Sequence, residues 1–261
     1  MNILVCVKQV PDTETRFKLD GTGVVTEGIQ YVVNPYDEYA LEEAIQLQEA
    51  RGGTVTVISL GPERAREAIM TALALGADEA IHLSAPEFQG GDAMATARAL
   101  AAAVQKLEYD IIFCGRQSVD EDNGQVGILL AEMLGLPHVA IITKLEVAED
   151  GTSARAEREV EGGKAVIETP LPAVFTAQKG LNEPRYPSFR GIRMARKKPQ
   201  QLWGLDDVDL GADQVGEPGA LSEVEGLAFP PERQAGRIVE GEVPEAAAEL
   251  VRLLREEAKV V

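Results

Sequence analysis

Three short runs dense in Val, Ile and Leu, at residues 2–7, 54–59 and 110–114, limit this chain more than any other feature. Their apolar residues follow one another without the alternation of a half-wetted strand, so each run needs cover on both faces. Helical patterns lie between them. Asn34 caps one helix, with Pro35 at its first position and Asp37 three residues on in a capping-box arrangement. Ala40, Leu41, Ala44 and Ile45 form its apolar stripe. Pro62 opens a second helix, in which Ala65, Ala68, Ile69, Ala72 and Leu73 recur at helical spacing until Gly76 ends it. Ile81-His82-Leu83 adds a short strand, and residues 91–107 an Ala-rich helix. Residues 124–134 form another helix, closed by Gly135. Strands alternating with helices imply an α/β fold, a doubly wound and mostly parallel sheet.

After Pro137 the pattern changes. Residues 139–149 and 153–168 read as strands around the Asp150-Gly151 turn, with Gly162-Gly163 suited to a second tight turn, an antiparallel hairpin insertion. Ala173-Val174-Phe175-Thr176 returns to the buried type. From Gly204 to Gly236 the chain is acidic, rich in Gly and Pro and without a period, which reads as a linker or extended arm unable to fold alone. Pro244 then starts a terminal helix with Ala247, Leu250, Val251 and Leu254 on one face. The division expected is an α/β domain over residues 1–200 and an arm with its helix over 201–261.

The 261 residues carry a formal charge of −18, which argues against nucleic acid and anionic membrane as partners. No apolar run reaches the roughly 20 residues needed to cross a bilayer. Met1-Asn2-Ile3-Leu4-Val5 lacks a basic region and reads as a strand rather than a secretion signal, so a cytoplasmic location is expected. Cys6 and Cys114 lie in strand-like runs without CxxC spacing, so buried free thiols are expected. With His82 and His138 as the two histidines, no metal site is expected.

In an open parallel sheet, ligands bind beyond the carboxyl ends of the strands where strand order switches. Val7-Lys8-Gln9, Asn34 to Asp37, Ser59-Leu60-Gly61 and Gly115 to Gly127 should converge there. Within the last segment a helix opens near Asn123-Gly124-Gln125-Val126, and its free amides suit an anion. The spacing is neither GxGxxG nor GxxxxGK[ST], and Asp120, Glu121 and Asp122 would repel a phosphate unless they turn away. Taken alone, a plain strand–loop–helix connection is the default. No nucleophile–base pair or ligand cluster suggests catalysis. A second segment stands out, from Leu181 through Tyr186 and Phe189 to a run of Arg193, Arg196, Lys197 and Lys198. Pro184 and Pro187 deny it helix, so it reads as a stiff loop presenting Phe189 beside positive charge. That suits transient protein docking, or a surface loop whose Phe tucks into its own domain.

Asn182-Glu183-Pro184-Arg185-Tyr186 with its Lys/Arg run resembles the recognition loop of the electron transfer flavoprotein beta subunit family. Val7-Lys8-Gln9-Val10-Pro11-Asp12, Asn34-Pro35-Tyr36-Asp37, Ala72 to Asp78, Gly115-Arg116-Gln117-Ser118, Arg158 to Gly163 and Leu171-Pro172-Ala173-Val174 are similar to further family motifs, in order. The resemblance implies a Rossmann-like domain holding AMP against Cys6, Asn34, Pro35, Tyr36, Asp37, Leu60 and the run Gly115, Arg116, Gln117, Ser118, Val119, Asp120, Glu121, Asp122, Asn123, Gly124, Gln125 and Val126. Some relatives instead bind a second FAD there and split electron pairs, with Gly-Asp-Thr-Ala before the Gln-Val-Gly. Glu121-Asp122-Asn123-Gly124 stands here, which favours AMP. The resemblance further implies a heterodimer whose FAD lies mainly in an alpha subunit contacted by the C-terminal arm. Such a carrier serves acyl-CoA dehydrogenases and an electron transfer flavoprotein quinone oxidoreductase, and is not itself an enzyme. Tyr186, Phe189, Arg193, Arg196, Lys197 and Lys198 would meet the dehydrogenase, and Glu159 the mobile flavin domain, unless it is only an exposed strand carboxylate. Thr13 and Ala165 depart from the family's usual aromatic and Glu. A stand-alone adenine-nucleotide-binding protein is the rival from another class.

Overall fold

The computed structural model describes residues 1–21, 23–231 and 236–261. The chain runs β1 (Asn2–Cys6), β2 (Gln9–Pro11), β3 (Leu19–Asp20), β4 (Gly23–Val24), β5 (Tyr31–Val33), α1 (Pro35–Arg51), β6 (Thr54–Leu60), α2 (Arg66–Leu75), β7 (Glu79–Leu83), α3 (Ala93–Val104) and β8 (Ile111–Gly115). It continues with α4 (Val126–Leu134), β9 (His138–Val147), β10 (Ser153–Val160), β11 (Gly163–Pro170), β12 (Ala173–Ala177), α5 (Phe189–Ala195), β13 (Gln200–Trp203), α6 (Leu205–Val208), α7 (Gly216–Gly219) and α8 (Val243–Glu256).

Nine strands form one sheet in the order β11-β10-β9-β12-β8-β1-β6-β7-β13, parallel from β9 to β13 and antiparallel at the hairpin β9-β10-β11. The apolar runs occupy its middle, as their lack of alternation requires. Ile3, Val5, Val55, Val57, Ile111 and Phe113 face a layer of α1 and α2 residues, while Leu4, Ile58, Ile112 and Val174 face residues of α3 and α4. Each such side chain contributes about 1.5–3 kcal/mol through burial. From β1 the chain moves outward to β6 and β7 on one side, and later to β8 and β12 on the other. The switch in strand order therefore falls between β1 and β8.

Several expectations are corrected. Asn34 makes no capping bond with its side chain, so the capping box is absent; Asn34 and Asp37 bond each other and distant segments instead. The fourth helix starts at Val126, after the Asn123-Gly124 turn. Phe189 is not in the loop but opens a helix, because Ser188 accepts from the Gly191 amide and caps it. Gln200–Trp203, beyond the expected domain boundary, adds the edge strand beside β7. Nor is the stretch from Gly204 wholly an arm. Val208 and Val215 are buried on the α3 side of the sheet, and Asp92 at the start of α3 accepts the amides of Leu221 and Ser222 at 2.8 and 3.0 Å. Beyond that tie, Leu227, Phe229 and Ile238 are exposed, as are Leu250 and Val251 of α8.

Candidate functional site

At the switch point the carboxyl ends of β1, β6 and β8 meet the start of α1. Asp37, 5% exposed, accepts the Lys8 amide at 2.7 Å, the Asn34 side-chain amide at 2.9 Å and the Gly115 amide at 3.1 Å. Asn34 also donates to the Gln117 carbonyl at 2.9 Å and accepts the Val119 amide at 3.1 Å. These two side chains thus tie β1, β8 and the loop after β8 to one helix start. Burial pushes the Asp37 carboxyl up to about 7, against the pull of its three N–H partners. Gly115 is required here, since a Cβ would stand 2.2 Å from Asp37 Oδ1.

The acidic loop after β8 is tied to Lys8, just past the end of β1. The Lys8 ammonium takes Asp120 at 3.0 Å, Glu121 at 3.4 Å and the Ser118 hydroxyl at 3.3 Å. Partial burial would raise Asp120, but the Lys8 charge and the Ser118 contact outweigh it and hold that carboxyl low. Asp122 is bonded by the Gln117 side-chain amide. Arg116 lies over the Tyr36 ring, 5.5 Å from its centroid, and bonds Gln117 Oε1 at 2.8 Å.

Asp122 and Gly124 both have positive φ, 57° and 62°, so the backbone turns sharply just ahead of α4. Among the described residues, the amides of Asn123, Gly124, Gln125, Val126 and Gly127 find no acceptor. The positive end of α4 lies behind them, and free donors at a helix start are the kind of group that can take an anion. Gly127 lets α4 approach the sheet, since a Cβ there would meet Thr176 Cγ2 at 2.8 Å and Cys114 Cβ at 3.2 Å. Cys6 and Cys114 are buried and free, and contact with Cys6, reinforced by burial, raises the Cys114 thiol well above its usual range. Half-buried Leu60 ends β6 beside them. Two buried polar atoms near these strand ends, Gln9 Oε1 and Ser59 Oγ, have no partner among the described residues. Among those residues no cluster of His, Cys, Asp or Glu could hold a metal ion.

The expected docking residues separate. Tyr186 and Phe189 are 94% and 96% exposed, with Ile192 half-exposed on the same short helix. Arg193, Arg196 and Lys197 are exposed beside them. Lys198 is not: its ammonium turns inward to the carbonyls of Leu73, Gly76 and Ala77 at 2.9, 3.3 and 2.5 Å and closes the C-terminus of α2. The unpaired carbonyls at a helix end attract a cation, while burial pulls the Lys198 ammonium below its usual range. Glu159 lies elsewhere, exposed near the tip of the β10-β11 hairpin opposite Lys164. Sequence reading missed Lys8 as the clasp of the acidic loop and Arg185 as an anchor. The signal for the first was a lone Lys beside a strand end facing three acids.

The fold is thus a doubly wound α/β domain with backbone amides left unpartnered among the described residues at its switch point and with Tyr186 and Phe189 bare at its surface. Residues 22–208 match the electron transfer flavoprotein domain family. The chain is 44% identical over its full length to the whole electron transfer flavoprotein subunit beta of Bacillus subtilis (strain 168). Against the subunit beta of Thermoanaerobacterium thermosaccharolyticum it is 44% identical, covering 97% of this chain and 98% of the relative. Against the caffeyl-CoA reductase-Etf complex subunit CarD of Acetobacterium woodii it is 38% identical, covering 98% of each. The chain belongs to the electron transfer flavoprotein family, and its role is that of a beta subunit, an electron-carrier component rather than an enzyme. No helix among the described residues is long and apolar enough to cross a membrane.

Proposed function

We propose that this beta subunit works in the cytoplasm as half of a heterodimer with an electron transfer flavoprotein alpha subunit. The pair accepts electrons from flavin dehydrogenases of the acyl-CoA dehydrogenase type and delivers them to a membrane quinone oxidoreductase. FAD, held mainly by the alpha subunit, supplies the redox chemistry, and AMP fills the cleft of this chain as a structural nucleotide. The observation that carries the reading is Phe189, whose side chain is 96% exposed on a short helix flanked by Arg193, Arg196 and Lys197. A bulky apolar group left in water beside cations is costly unless a partner covers it.

The cleft suits an adenylate. The unpaired amides from Asn123 to Gly127 offer donors to a phosphate, and Lys8 holds back the acids that would oppose it. Cys6 and Leu60 frame the apolar side where a base would lie. The bare Leu227, Phe229 and Ile238 and the apolar residues of α8 suit contact with the alpha subunit, and Glu159 suits contact with its flavin-bearing part.

Co-purification with the alpha subunit followed by nucleotide extraction tests the proposal. One FAD and one AMP per heterodimer is the expected result. Two FADs would assign the cleft to a second flavin and electron bifurcation. A colourless monomer with bound nucleotide would overturn the carrier reading in favour of a stand-alone binding protein.

A further inference from the structure

Between the end of β12 and the start of α5 lie residues 178–188, which form no regular element. Among the described residues, the amides from Asn182 to Ser188 make no backbone–backbone hydrogen bond. Yet this stretch presents Tyr186 and delivers Phe189. Two side chains hold it, Arg185 first. The Arg185 guanidinium forks onto Glu42 of α1, with Nε to Oε2 at 2.9 Å and Nη2 to Oε1 at 3.0 Å. The same group reaches Glu49 with Nη1 to Oε1 at 2.6 Å and Nη2 to Oε2 at 3.0 Å. The Arg185 amide adds a bond to Glu42 Oε2 at 3.1 Å. Asn182 completes the seam, donating to the Tyr39 carbonyl at 3.0 Å and to Glu43 at 2.9 Å.

Tyr39, Glu42, Glu43 and Glu49 lie at helical spacing, so one face of α1 receives the whole segment. The Glu42 side chain is only 5% exposed, whereas that of Glu49 is 56% exposed. Burial would raise Glu42, but the Arg185 guanidinium outweighs it and holds the carboxyl ionised. A planar fork gripping two carboxylates restricts both position and rotation, which a Lys point charge does not. On the other side of Phe189, α5 is pressed on α2, where a Cβ at Gly191 would stand 2.2 Å from the Ala74 carbonyl oxygen. Phe189 is thus suspended between an ionic anchor on α1 and a steric anchor on α2.

We infer that Arg185, clamped by Glu42 and Glu49, is the positioning residue that pre-organises Tyr186 and Phe189 for docking to the electron-donating dehydrogenase. This deepens the proposed function and rests on its docking reading. An anchor already held in its bound geometry spares the ordering cost of association, so the clamp acts on encounter and affinity rather than on electron transfer within the docked complex.

The test uses the intact heterodimer and steady-state reduction by an acyl-CoA dehydrogenase, with carrier concentration varied. Arg185→Met should raise KM for the carrier toward the value of Phe189→Ala, about ten- to a hundred-fold, with kcat within twofold and an unchanged flavin spectrum. Arg185→Lys should recover only part of the loss. Combining Arg185→Met with Phe189→Ala should add little to Phe189→Ala, as expected of residues acting through one contact. Glu49→Gln cuts the exposed arm of the fork without unpairing the buried one, and should give a smaller KM rise in the same direction should Arg185→Met fail to assemble. Wild-type KM in both Arg185→Met and Glu49→Gln, with Phe189→Ala still impaired, overturns the positioning role alone. A wild-type KM in Phe189→Ala itself overturns the docking reading on which it rests.

Discussion

Gly124 is where charge can be set against phosphate with least collateral change. Its φ of 62° is in the left-handed region, which Asn and Asp tolerate better than other side chains. A Cβ there would meet only the Arg116 carbonyl oxygen at 3.5 Å and Gln117 Cβ at 3.9 Å, ordinary contacts. Gly124→Asn and Gly124→Asp therefore share a shape and a backbone cost, and differ in one charge. A carboxylate about 5 Å from a phosphate, at an effective dielectric of about 20, is opposed by roughly 3 kcal/mol per unit charge. That corresponds to about two decades in affinity. Gly124→Asn should keep AMP at wild-type stoichiometry, while Gly124→Asp should lose it on dialysis with the flavin spectrum of assembled heterodimer unaltered. Extraction and chromatography measure the content, and titration calorimetry on stripped protein gives the ratio of constants. An Asp variant that binds AMP within threefold of the Asn variant would refute an anion seat at the start of α4.

The buried clasp is probed by Asp37→Asn, whose amide sets a donor against at least one backbone N–H and should cost about 1–3 kcal/mol, read as a fall of roughly 2–12 °C in Tm. Its pH dependence has a definite sign. The folded value near 7 exceeds the ordinary 3.8, so this group's contribution is full below about pH 4 and is lost as pH rises through 7, and unfolding titrations should show that slope vanish in Asp37→Asn. Phe189→Ala should leave Tm within experimental error, because the side chain has no internal packing to lose, while weakening dehydrogenase docking about ten- to a hundred-fold in carrier KM. Charge removal at Arg193, Arg196 and Lys197 should lower the association rate and flatten its salt dependence. Lys198→Met should instead lower Tm without changing that salt dependence, since its ammonium serves α2. Truncation after Ser222 should keep a soluble domain that no longer pairs with the alpha subunit, whereas truncation after Gly204 should destabilise the domain itself by baring the surface under Val208 and Val215. Heterodimer yield and the melting of the isolated domain separate the two cuts.

Sequence reading succeeded where a residue's fate is decided by its immediate neighbours along the chain. Ile3 to Cys6, Val55 to Ser59 and Ile111 to Cys114 are buried on both faces of the sheet, and an unbroken apolar run admits no other arrangement. The meeting of Asn34 and Asp37 with Lys8, Gly115 and the loop after β8 was legible in outline for the same reason, because strand ends and helix starts follow from those runs. Reading failed where polar side chains reach far along the chain. Asn34 and Asp37 carry the spacing of a local cap, but Gly115 and Val119 compete for the same atoms and win, which no window around residue 34 reveals. Lys198 reads as one more solvated cation because its partners lie more than 120 residues away. The Gln200–Trp203 strand is hidden because an edge strand is covered on one side only, so three of its four residues stay exposed and no apolar pattern marks it. Ser188 did carry a cap signal for the Phe189 helix, masked by Gly191 within it. That glycine is spent on close approach to Ala74, a tertiary demand that overrides its poor helix propensity. The segment that presents Tyr186 and Phe189 is thus built almost entirely from long-range choices, the Arg185 fork on α1 and the Gly191 contact on α2, around residues whose own neighbours would leave them in a loop.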